Sequence, residues 1–111
     1  MEKIKKYEKA ILEIINTQRP VLLQDPDCYV ITDKNKHHYQ ILIEGWGAKE
    51  KHELKVFMHF HIKPNGKIYI FENHSSTDVG EALIEQDVAK SDIVLAFLPE
   101  YAREYSGYAL A

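Results

Sequence analysis

Apolar residues recur three and four apart near the start of the chain, at Ile4, Tyr7, Ile11, Ile14 and Ile15. That spacing lines them along one stripe and predicts an amphipathic helix over residues 2–18, which Pro20 limits at its C-terminal end. A helix of this length is marginal in water on its own. It is therefore expected to lie against one face of a sheet.

From Cys28 to Asn73 the period changes to two. Residues 28–32 read as a short strand, 33–36 as a turn, and 39–46 as a second strand. A charged connection at 47–51 leads into a long third strand over 52–63. There Leu54, Val56, Met58, Phe60 and Ile62 are apolar. Their alternates Glu53, Lys55, Phe57, His59, His61 and Lys63 are mostly polar, the clearest strand signal in the chain. The first helix is expected to cover the whole Leu54–Ile62 face.

The next turn sets a register. A two-residue Asn65-Gly66 loop would pair Ile62 with Tyr69. A three-residue loop, with Pro64 at the first turn position and Gly66 left-handed, pairs Lys63 with Lys67, Ile62 with Ile68 and Phe60 with Ile70. The second is preferred because it makes one face uniformly apolar, and a slip of one residue would lose that match.

Ser75 or Ser76 is expected to cap a second helix reaching about Gln86, with Asp78 placed as in a capping box. Val79, Ala82 and Leu83 form its short apolar stripe. Gly80 inside it costs about 1 kcal/mol relative to alanine, so packing must hold this helix. Residues 92–97 read as a buried strand. The tyrosine-rich segment 98–111 closes the chain, with Pro99 opening a short helix. The fold class is α+β: an N-terminal helix packed on an antiparallel β-meander, then helix, strand and a short C-terminal helical segment. The second sheet face is expected to be closed by the second helix, the tail or another subunit.

With 111 residues, 45% of them hydrophobic, the chain suits one domain, 1–111. A net charge of −3 argues against direct nucleic-acid binding, which normally needs a basic excess or stripe. Lys3, Lys5, Lys6 and Lys9 are interleaved with Glu2 and Glu8 and read as a solvated helix face. The lone Cys28 excludes an internal disulfide and a cysteine-based zinc site. No apolar run approaches the roughly 20 residues needed to span a bilayer, and the first residues lack the apolar stretch of a signal peptide. A cytoplasmic protein is expected.

Candidate chemistry is sparse. His59 and His61, two apart on a strand, point the same way and could begin a metal or small-ligand site, although metal sites need a third ligand and usually a fourth. In the preferred register Glu72 alternates away from His59. His37 and His38 are adjacent and face opposite ways, so a joint site there is not expected. Ser75, Ser76 and Thr77 read as a helix start, and Cys28 lies in a strand. Neither has the context of a nucleophile. No glycine-rich phosphate loop is present, and the expectation is a protein without enzymatic activity or cofactor. Tyr101, Arg103, Tyr105 and Tyr108 have the composition of an interface anchor. The alternative places the tyrosines over His59, His61 and Tyr69 on the second sheet face. Trp46 is either a core plug or an edge contact.

Four blocks, in order, resemble the XisI family. His38-Tyr-Gln-Ile-Leu-Ile-Glu-Gly-Trp46 is similar to its HYQLLHVGW block. His59-Phe-His-Ile-Lys63 with Gly66-Lys-Ile-Tyr-Ile70 resembles its HIDIKDGKIWIQ hairpin. Residues 88–97, Val-Ala-Lys-Ser-Asp-Ile-Val-Leu-Ala-Phe, resemble VPKEDIVLGF, and residues 103–109 resemble the closing RKYTGFAV. The chain departs from the pattern at Pro64, an added loop residue. It departs also at His61 in place of Asp, Tyr69 in place of Trp, Ala89 in place of Pro and Leu98 in place of His. The resemblance implies an accessory factor in the controlled excision of the fdxN DNA element, acting through an XisH-like partner, with no cofactor. A homodimer is compatible with it. The alternative is a metal-dependent or small-ligand-binding domain that uses the His59/His61 face.

Overall fold

Helix α1 (Glu2–Thr17) buries Tyr7, Ile11, Ile14 and Ile15 of the predicted stripe, together with Ala10, while Ile4 is only partly buried against them. The computed structural model describes residues 2–18, 27–46 and 52–111, with Trp46, His52 and Glu53 described in their backbone only. Strands β1 (Cys28–Asp33), β2 (His38–Trp46), β3 (His52–Ile62) and β4 (Ile68–Asn73) follow as an antiparallel meander. Helix α2 (Val79–Glu85) leads through a 3-10 turn at Lys90–Asp92 into β5 (Ile93–Leu95), and α3 (Glu100–Arg103) comes last. The sheet order is β1-β2-β3-β4-β5, with β5 parallel to β4. A parallel neighbour needs a crossover of a dozen or more residues, and the segment carrying α2 supplies it.

Pairing across the β3–β4 turn follows the three-residue loop. The Lys63 N–H donates to the Lys67 carbonyl at 3.1 Å, and Gly66 has φ +82°. Ile62 faces Ile68 and Phe60 faces Ile70. Tyr39, Ile41, Met58, Phe60, Ile62, Ile68 and Ile70 form the covered face of the sheet, all essentially without solvent access.

The expected Leu54–Ile62 face does not survive intact. Ile41 pairs with Met58, but Leu42 pairs with Val56, so Phe57 is an extra residue in β3. Strand side chains alternate with period two, and one extra residue transfers everything beyond it to the other face. Leu54 and Val56 therefore leave the face covered by α1, and Leu54 is 59% exposed. A second bulge, at Phe71, brings Glu72 opposite His59. The expectation that Glu72 turns away from His59 is corrected by that one residue.

The second helix also begins later than expected. Its N-cap is Asp78, whose carboxylate accepts the Glu81 N–H at 3.1 Å. Neither Ser75 nor Ser76 caps it. Ser75 Oγ instead donates to Asn73 Oδ1 at 2.6 Å and accepts the Thr77 N–H, building the turn that precedes the helix. Asp78 with Glu81 has the spacing of a capping box, a better match than Ser75 with Asp78.

Val79 and Leu83 of α2 join the cluster formed by α1 and the covered sheet face. Both helices thus lie on one side, and α2 does not close the second face. Among the described residues that face is shut only at its β4–β5 end, where Tyr69 and Val94 are buried. The chain after β5 stays beside this end: the Phe97 N–H donates to the Ile70 carbonyl and the Ala109 N–H to that of Ile93. Toward β1 the described residues leave the second face open, with Tyr29 41% and Ile31 43% exposed.

Two polar anchors fix α1. The Tyr7 hydroxyl donates to Asp92 Oδ2 at 2.6 Å, and Lys3 Nζ lies 2.9 Å from the same oxygen. Burial pushes the Asp92 carboxyl up, but the bonds from Tyr7 and Lys3 and the charges of Lys3 and Lys67 outweigh it. The net shift is below the ordinary 3.8. The Tyr39 hydroxyl donates to Glu8 at 2.5 Å, tying β2 to the same helix.

Candidate functional site

Strand β3 places His59 and His61 on the second face, as the period of two requires. Register then adds a third ring. His38, the first residue of β2, pairs with His61. Its ring stacks on that of His61 with centroids 3.8 Å apart and planes 14° apart. His38 Nδ1 lies 2.9 Å from His59 Nε2, one ring donating and the other accepting. Phe71, on the same face, flanks His59 at 5.4 Å and His61 at 6.2 Å between ring centroids. Beside it, Lys63 Nζ sits 4.2 Å from the centroid of the Tyr69 ring, a cation–π contact.

His38 is the member that sequence spacing leaves out. The β2–β3 connection, residues 47–51, carries no turn signature in its sequence that would set the register. Only the observed pairing brings His38 beside two histidines more than 20 positions away. His37 does face elsewhere, with Nδ1 3.2 Å from the Tyr39 hydroxyl.

This cluster is poorly arranged for a metal. Ring-nitrogen lone pairs lie in the ring plane, so the stacked rings of His38 and His61 direct them side by side instead of toward one point. His38 Nδ1 and His59 Nε2 already satisfy each other. Glu72, across from His59, is bonded to His74 at 2.8 Å. Among the described residues no group of three His, Cys, Asp or Glu side chains could hold a metal ion. His59 and His61 thus stand with His38 in a packed, hydrogen-bonded cluster.

Burial holds both imidazoles below their ordinary value of 6.5, and the His38 ring adds to this. For His61 the Lys63 charge and His59 lower it further, against a bond to the Lys36 backbone. For His59 the Glu72 carboxylate works in the opposite sense. Between the depressed values and 6.5 the unfolded chain binds more protons than the folded one, so stability falls on acidification through that range. Urea midpoints are expected to drop between about pH 7.5 and about pH 5.5, and His59→Gln is expected to shrink the drop. Asp33 and Asp92, both held below 3.8, release their contributions only at lower pH. An unchanged midpoint across that interval would refute the assignment.

The C-terminal candidates separate into three kinds. Tyr101 and Tyr105 project into solvent, 77% and 85% exposed. Arg103 is committed to its own chain: Nε donates to the Leu98 carbonyl at 3.0 Å, Nη2 to that of Ala96 at 3.2 Å and Nη1 to that of Leu110 at 3.4 Å. Tyr108 packs on Gly80, where a Cβ would come within 2.5 Å of the tyrosine hydroxyl oxygen. Glycine in α2 is thus explained by close approach. The tyrosines do not cover His59, His61 and Tyr69, which corrects the alternative reading of the tail. Trp46 ends β2, and its side chain lies outside the described residues.

The comparisons with known proteins agree along the whole chain. The family model described as XisI protein matches residues 1–110. A crystal structure of a XisI-like protein from Anabaena variabilis ATCC 29413 is 29% identical, with a TM-score of 0.82, covering 97% of this chain and 99% of that one. The fdxN element excision controlling factor XisI from the same organism is 27% identical, with a TM-score of 0.84, covering 98% and 99%. Among curated proteins none matches significantly. With the family model, the five-stranded fold and the four sequence blocks all in agreement, this chain belongs to the XisI family.

Proposed function

We propose that this chain is a non-enzymatic accessory factor that controls excision of a DNA element by binding an XisH-like protein. The observation that carries the reading is the end-to-end match to the XisI family, together with a shared fold with an fdxN element excision controlling factor. The acidic balance supports action through a protein partner, since a net charge of −3 gives phosphate backbones no electrostatic gain.

Tyr101 and Tyr105 suit the contact itself. They stand in solvent on and beside a helix whose backbone Arg103 already secures, so ordering them on binding costs little conformational entropy. Co-expression with an XisH-like protein is expected to yield a complex that survives purification. Replacing both tyrosines with alanine should weaken it by about tenfold or more while leaving the fold unchanged. Absence of a complex with the folded wild-type chain would overturn the proposal.

A further inference from the structure

The two edges of the sheet are finished differently. The short strand β5 is met on its outer side by the chain that follows it, with the Ala109 N–H bonded to the Ile93 carbonyl. Strand β1, the opposite edge, is six residues long and pairs with β2 without a bulge. The Glu44 N–H donates to the Asp27 carbonyl at 2.8 Å, so Asp27, Tyr29, Ile31 and Asp33 turn their backbone groups toward β2. Antiparallel ladders alternate, and the N–H and C=O groups of Val30 and Thr32 therefore point out of the sheet. Among the described residues nothing is bonded to them. We propose that this edge pairs with β1 of a second copy, antiparallel and about a two-fold axis at Ile31, joining the two five-stranded sheets into one.

An open edge offers its ladder to another strand, and proteins that keep an edge unpaired blunt it with proline, a bulge or a lysine. Residues 28–33, Cys-Tyr-Val-Ile-Thr-Asp, carry none of these. Their one charge, Asp33, is engaged in its own turn, where its Oδ1 accepts the Asn35 and Lys36 N–H groups at 2.9 and 3.0 Å. In the proposed register Val30 exchanges both outward backbone bonds with Thr32 of the second copy. The Ile31 side chains, 43% exposed in the single chain, then meet across the axis on the open face. They form a non-hydrogen-bonded pair, the kind that brings side chains closest.

The flank of the edge favours a copy of this chain over a foreign strand. Val30 lines a groove with Lys5, Lys9, Leu12 and Glu13 of α1. Lys5, Lys9 and Glu13 are exposed. The ion pairs among the described residues, Lys3 with Asp92 and Glu72 with His74, leave all three unpaired. A two-fold axis perpendicular to the sheet sets α1 antiparallel to its counterpart. The Lys5–Lys9 half of each helix then lies toward Glu13 of the other, so the surface complements itself as an isologous contact must.

Sedimentation of the chain alone, from about 1 μM to about 1 mM, is expected to show a reversible monomer–dimer equilibrium, as a small interface gives. Thr32→Pro removes an N–H that β2 does not use and should weaken the dimer about tenfold or more. Ile31→Lys sets two ammonium groups against each other on the axis and should weaken it as much. Its side chain is exposed, so this variant decides the matter if Thr32→Pro fails to fold. Ile31→Cys should cross-link to its own copy under mild oxidation, whereas the wild-type chain, with only the buried Cys28, should not. A chain monomeric up to about 1 mM would overturn the proposal and leave the edge to a strand of another protein. A dimer that Ile31→Lys leaves unchanged, or in which Ile31→Cys does not cross-link, would overturn it as well. No XisH-like protein takes part in these measurements, so their outcome is independent of the function proposed above.

Discussion

Truncating Phe60 to alanine is expected to remove about 3–5 kcal/mol of stability, the largest loss from any single side chain considered. Phe60 lies in β3, the middle strand of the sheet, fully buried, with Tyr39 opposite on one side and Ile70 on the other. Both neighbours are themselves without solvent access, so the vacated space has no mobile surface side chain to fill it. A domain of this size holds only about 5–15 kcal/mol in total, so the variant should lie close to its unfolding limit at 37 °C. Phe60→Leu keeps most of the volume and should cost less than about 1.5 kcal/mol. The informative control is Leu54→Ala. By sequence alternation Leu54 belongs with Phe60, whereas the bulge at Phe57 sends it to the open face. Its truncation should change stability by no more than about 0.5 kcal/mol. Urea denaturation of the three variants checks this. A Leu54→Ala loss comparable to that of Phe60→Ala would refute the bulge.

That contrast marks the limit of what periodicity could reveal. The helix stripe, the strand positions and the β3–β4 register were legible because each rests on local rules: three-and-four spacing, alternation, and Pro64 and Gly66 at positions their backbones favour. Bulges are not local in this sense. Phe57 and Phe71 are ordinary strand residues, and nothing in their immediate sequence marks them as extra. Yet they decide that Leu54 is exposed and that Glu72 meets His59. The His38–His59–His61 cluster was half legible for a related reason. Two of its members share a strand, while the third depends on a register across a connection with no turn signature. Helix α2 was displaced because Ser75 and Ser76 resemble a cap as well as Asp78 does. Asn73 settles the competition by engaging Ser75 Oγ and the Thr77 carbonyl.

The tail shows how the same residue type can serve opposite ends. Tyrosine and arginine within a few positions suggested one interface, but the structure divides them. Tyr108 fills the space over Gly80, with Lys90 Nζ 5.2 Å from its ring centroid, while Tyr101 and Tyr105 remain in solvent. A partner that uses this region therefore meets side chains already placed by a rigid support.

Arg103 is that support, and its removal is expected to produce the second-largest effect. Its guanidinium donates to carbonyls on both sides of α3, at Ala96 and Leu98 before it and at Leu110 after it, so one planar group closes the loop from β5 to the C-terminus. A hydrogen bond from a charged donor contributes about 1.5–3 kcal/mol when buried. These bonds are only partly buried and the one to Leu110 is long, so Arg103→Ala should cost about 2 kcal/mol in all. Arg103→Lys should recover little, because an ammonium is a point donor and cannot span carbonyls in three directions. Amide exchange gives the sharper test. The Ala109 N–H is bonded to the Ile93 carbonyl and should lose protection in Arg103→Ala, while the Phe60 amide in the central strand should keep its own. An interface anchor behaves in the opposite way: Arg103→Ala would then leave stability and Ala109 protection unchanged and would weaken only the complex. If that pattern were found, Arg103 would belong with Tyr101 and Tyr105 at the binding surface, and the clamp would be wrong.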